Sequence, residues 1–79
     1  MAHTNKVTRS IETQDGGRCV DLFRRSDASF GFEEYRRDPE DGSGWFAIGH
    51  HAGAAFPTEA AALAEARRRV AWLALVLDR

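Results

Sequence analysis

The sequence predicts an α+β fold: an antiparallel three- to four-stranded meander, β-β-β-β-α, with one long C-terminal helix packed on one face. Three observations predict it. Short stretches of alternating apolar and polar residues follow one another from Lys6 to His50, separated by Asp-, Gly- and Ser-rich turns. An alanine-rich segment from Glu59 to Leu77 contains no Pro or Gly. The length, 79 residues, suits one domain, 1–79, with a thin core.

Residues 1–5 are polar and expected to be mobile. Lys6 to Thr13 alternates weakly, with Val7 and Ile11 on one side and Arg9 interrupting it, and reads as an edge strand. Asp15-Gly16-Gly17 supplies the positive φ angles of a two-residue hairpin turn. Arg18 to Arg25 forms the second strand, with Val20 and Leu22 on one face and Cys19, Asp21 and Phe23 on the other. Ser26-Asp27-Ala28-Ser29 is a polar turn. Phe30 to Arg37 forms the third strand, where Phe30, Phe32 and Glu34 alternate with Gly31, Glu33 and Tyr35. Asp38 to Gly44 is a loop by its proline, glycines and acids. Trp45 to His50 forms the fourth strand, and residues 51–56 either extend it or turn. The sheet thus occupies 6–56. Thr58 caps the helix of 58–77, behind Pro57 and with Glu59 in the first turn.

On a wheel of 100° per residue, Ala62, Leu63, Ala66, Val70, Leu73, Ala74 and Leu77 make one stripe, which belongs on the sheet. Trp72, Leu75 and Val76 fall outside it, so the first three turns of the helix are amphipathic and the last two are apolar nearly all round. Twenty helical residues span about 30 Å and overreach strands of six to eight residues. The expected outcome is a homodimer whose interface contains Trp72, Leu75 and Val76. The competing reading folds the N-terminal segment, with Val7 and Ile11, over the same residues. On the sheet, Phe23, Tyr35 and Trp45 face away from Val20, Leu22, Phe46 and Ile48, as a cross-strand stack or a binding surface.

The chemical signals are sparse. His50 and His51 are adjacent and would chelate together only in a turn, so with His3 and Cys19 they predict no metal site. The loop 38–44 lacks the ligand spacing and closing glutamate of a calcium loop. Cys19 lies inside a strand with no base placed beside it, and no Gly-rich loop precedes a helix. Neither an enzyme nor a cofactor is expected. One cysteine excludes an internal disulfide, and together with a polar N-terminus and no long apolar run this points to a cytoplasmic protein without a membrane segment.

The remaining signal is arginine: Arg24, Arg25, Arg36, Arg37 and the run Arg67-Arg68-Arg69. A nucleic-acid contact through Arg24, Arg25, Arg36, Arg37, Arg68 and Arg69 is the alternative function. The segment Trp45-Phe46-Ala47-Ile48, followed by Phe56-Pro57-Thr58 and the alanine-rich helix to Ala66, resembles the end of an AP2-type DNA-binding domain over about a quarter of the chain. That resemblance implies a sheet facing phosphates. Asp21, Glu33 and Glu34 lie in the same strands, and the formal net charge is −1, which opposes strong phosphate contact. The leading expectation is therefore a non-enzymatic interaction module, self-associating through its helix and open to a further protein partner.

Overall fold

The structure, a computed structural model, describes residues 5–38, 40, 42 and 44–78. The expectation of a mobile 1–5 segment, and His3 with it, falls almost wholly outside them. The strands are β1 (Lys6–Glu12), β2 (Arg18–Arg24), β3 (Phe30–Arg36) and β4 (Phe46–Ala47), followed by helices α1 (Glu59–Arg69) and α2 (Ala71–Leu77). The sheet order is β1-β2-β3-β4 and every pair is antiparallel, the expected meander.

The turns follow from local side chains. Residues 13–18 form a longer loop than the two-residue turn expected: the Thr13 amide donates to the Arg18 carbonyl at 3.0 Å, leaving four residues between them. Asp15 explains the difference, because its carboxylate accepts from the Thr13 hydroxyl and the Gly17 amide and fixes a wider turn, with Gly16 at φ +74°. The second turn closes from Arg25 to Ser29, where Asp27 accepts from the Ser29 amide and hydroxyl. Ala28 there adopts φ +72°, a position that favours glycine.

One face of the sheet carries the core. Ile11, Val20, Leu22 and Phe32 meet Ala62, Ala66, Val70 and Leu73 from the helices. The early alanines let α1 approach β2 and β3 closely, and each of the larger side chains buried here contributes about 1.5–3 kcal/mol. Thr58 accepts from the Ala61 amide at 3.0 Å, the expected N-cap.

Two expectations are corrected. The fourth strand is shorter than 45–50, and the chain then loops off the edge of β3 before rejoining it further along. Phe56 makes a single antiparallel bridge to Phe30 at the far end of β3. Glu33, 5% exposed, explains the turn: its carboxylate accepts from the amides of Glu34, His51 and Ala52. Arg25 completes the stitch by donating to the carbonyls of Ala52 and Ala54. The segment 48–56 thus runs along the outer edge of β3 and bonds it at Glu34 and Phe30, whereas among the described residues nothing pairs with the outer edge of β1.

The second correction concerns the helix, which breaks at Val70 (φ −106°, ψ 101°). No Gly or Pro marks the break. Val70 is β-branched and suits the extended conformation. The break re-aims the last two turns, so that Leu73 is fully buried and Trp72, Val76 and Leu77 pack against the core. The cost of interrupting the helix ladder is offset by apolar burial that a straight helix would forgo. Arg67 pairs with Asp78 at 2.8 Å and ties α2 back onto α1.

Candidate functional site

The molecule is 18 Å thin, about one sheet and one helix layer, and among the described residues no helix lies over the second face of the sheet. Strand alternation and register place its residues in rows. Glu12, Cys19, Tyr35 and Ala47 form one row, Ser10, Asp21 and Glu33 the next, and Val7, Phe23 and Gly31 the third. Phe23 and Tyr35 stand in these rows as expected, and Trp45 lines the same face beside Cys19 and Tyr35.

The third row is filled by its own side chains. Phe23 lies over Gly31, where a Cβ would come within 2.9 Å of the ring, and the Arg25 guanidinium covers Phe23 at 4.9 Å. Phe23 is buried in consequence, although it lies on the helix-free face.

The first two rows are free of such a cover except at Glu33, which is buried under the segment that carries His51 and Ala52. Ser10, Glu12, Cys19, Asp21, Tyr35 and Trp45 line a shallow concavity of about 330 Å³. At its floor the Ser10 hydroxyl donates to Asp21 at 2.7 Å, and the Cys19 thiol donates to the same oxygen at 3.2 Å. Burial pushes the Cys19 thiol up to about 11, with the Asp21 and Glu12 carboxylates adding to the shift. A thiol so held is a hydrogen-bond donor and not a nucleophile at neutral pH. Burial also raises Tyr35, helped by the carboxylates of Asp21 and Glu33. At the rim, the Arg37 guanidinium stacks over Trp45 at 4.5 Å and donates to the Gly16 carbonyl at 2.8 Å.

The residues expected at a dimer interface separate into two groups. Trp72 is half-buried, and its indole N–H donates to the Glu34 carboxylate at 2.9 Å. Val76 is half-buried against the core. The exposure predicted for all three holds for Leu75 alone, which is 72% exposed. The wheel erred for the other two because it assumed a continuous helix.

The arginines do not gather. Arg25 and Arg37 are committed to backbone carbonyls and aromatic rings. Arg68 and Arg69 both grip Glu65 and hold its carboxyl at about 2. Arg24 and Arg36 are exposed at opposite ends of the sheet, about 20 Å apart by strand rise, and on the helix side. The histidines also diverge. His51 stacks on Phe32 with ring centres 4.9 Å apart, while His50 is exposed at φ +54°. Among the described residues no three His, Cys, Asp or Glu side chains are grouped to hold a metal ion, and no helix is long and apolar enough to cross a membrane.

Ser10, Glu12 and Asp21 were not singled out from the sequence. Alternation alone puts Ser10 and Glu12 on one face and Cys19 and Asp21 on one face; only the β1–β2 register makes those faces the same. Comparison of the chain with protein-family models, characterised proteins and solved structures finds no match.

Proposed function

We propose that this chain is a small non-enzymatic interaction module of the cytoplasm that self-associates through the outer face of α2. The observation that carries the reading is Leu75. It stands 72% exposed on a helix, Ala-Trp-Leu-Ala-Leu-Val-Leu, that has no charged side chain, and Ala71 one turn earlier is exposed beside it. The contact centres on Leu75 with Val76 at its margin, and Trp72 serves the subunit's own core. A seven-residue helix is about 10 Å long, so its outer face falls far short of the roughly 800 Å² per partner of a standard interface. The association is therefore weak and concentration-dependent. The protonated Cys19 thiol supports a non-enzymatic role, and it suits a reducing compartment.

Sedimentation equilibrium across a wide concentration range tests the reading. The weight-average mass rises with concentration in the wild type and stays monomeric in Leu75→Lys, whose stability remains within about 0.5 kcal/mol of wild type because the site is exposed. A constant monomer mass at millimolar protein overturns it. The nucleic-acid alternative has less support, since the arginines are dispersed and four of the six are engaged within the chain.

A further inference from the structure

We infer that the open face of the sheet is a docking surface for an arginine side chain presented by a basic protein segment. This goes beyond self-association through α2, which lies on the other side of the sheet.

Charge complementarity fixes the occupant. Glu12 and Asp21 both line the concavity, and among the described residues neither carboxylate lies within 4 Å of a cationic group. Asp21 is half-buried and already accepts two hydrogen bonds at one oxygen, Oδ1. Its other oxygen, with Glu12 two residues along the neighbouring strand row, offers acceptors that suit the fork of a guanidinium. Burial first, and then the negative field of Asp21, raise both the Cys19 thiol and the Tyr35 phenol, so the floor is a poor place for an anion.

The walls are aromatic. Tyr35 and Trp45 flank the carboxylates, and a cation between ring and carboxylate gains from both. The chain itself demonstrates the preference: Arg37 stacks on Trp45 at 4.5 Å, and Arg37 is not among the residues lining the concavity, so Trp45 meets a guanidinium outside it and presents ring surface inside it. Size agrees. A volume of about 330 Å³ sits at the bottom of the range of about 300–1,000 Å³ for ligand pockets, room for one long side chain and not for a cofactor. Trp45 remains 38% exposed and Glu12 exposed, so neither needs to be uncovered for docking.

The test uses the whole chain, a blocked Gly-Arg-Gly peptide and its Gly-Gln-Gly counterpart, followed by amide and indole shifts in NMR. The arginine peptide is expected to move Ser10, Glu12, Cys19, Asp21 and the Trp45 indole. The glutamine peptide is expected to leave them in place. Glu12→Gln, at an exposed site that the fold does not require, should weaken binding about three- to tenfold, and high salt should weaken it further. Trp45→Leu should weaken it about two- to fivefold. Equal response to both peptides overturns the proposal, as do shifts confined to α2 or the absence of shifts at millimolar peptide. Shifts of these same residues on concentrating the protein alone, abolished by Glu12→Gln, would make the occupant a second copy of this chain and overturn the partner assigned here.

Discussion

The indole of Trp72 donates to the carboxylate of Glu34 across 2.9 Å, joining the short second helix to the third strand. Glu34 also meets Arg18 at 3.6 Å, so the tryptophan belongs to a polar clasp at the end of the sheet. Trp72→Phe keeps an aromatic side chain, smaller than the indole, and removes the donor. Denaturant unfolding should show a loss of about 1–2 kcal/mol. Sedimentation should show no change in association, in contrast to Leu75→Lys.

Gly31 lies beneath Phe23, and an added methyl would stand 2.9 Å from that ring and 2.8 Å from the Arg25 guanidinium. The ring must move, and Arg25 must release it. Gly31→Ala is expected to destabilise by about 1–3 kcal/mol. Amide exchange should quicken at Ala54, whose carbonyl Arg25 holds.

Cys19 is 5% exposed and its thiol is raised from 9.0 to about 11, burial first. Alkylation by iodoacetamide at pH 8 should be far slower than for an unstructured cysteine and should climb as the pH approaches 11. The raised value favours folding below pH 9.0, and that contribution is lost as pH rises through about 11. Alkylation at the unstructured rate at pH 8 would show that the thiol is not held this way.

Glu65 is held at about 2 against an ordinary 4.5, through hydrogen bonds first from Arg68 and then from Arg69. The lowered value favours folding above pH 4.5, and the contribution fades as pH falls toward 2. The side-chain carbon shift of Glu65 should titrate near 2 in the wild type. In the double variant Arg68→Gln, Arg69→Gln it should titrate near the ordinary value.

Much of the fold was legible. Strands two and three lie within a residue of where alternation places them, because Val20, Leu22, Phe30 and Phe32 face one side and their neighbours the other. The helix start was equally plain from Pro57 and Thr58. The break at Val70 was not, because it answers to burial of Leu73 and to the distant Glu34, neither of which leaves a mark in local propensity. The same holds for Glu33, whose partners His51 and Ala52 lie 18 and 19 residues away. The concavity was half visible. Cys19, Tyr35 and Trp45 stood out individually, but the strand register was needed to set Ser10, Glu12 and Asp21 among them.

The two borders of the sheet are unlike. β3 is paired on its outer side at both ends, by Phe46, Ala47 and Ile48 and by Phe56, while among the described residues nothing pairs with the outer side of β1. The border at β1 is seven residues long and a ready template for a neighbouring strand, whereas the border at β4 is two residues long and a poor one. Native strand addition is thus favoured at one border over the other, and two copies joined β1 to β1 leave only the short borders free. That asymmetry would be lost if the stitch between Arg25, Glu33 and the segment 48–56 came undone.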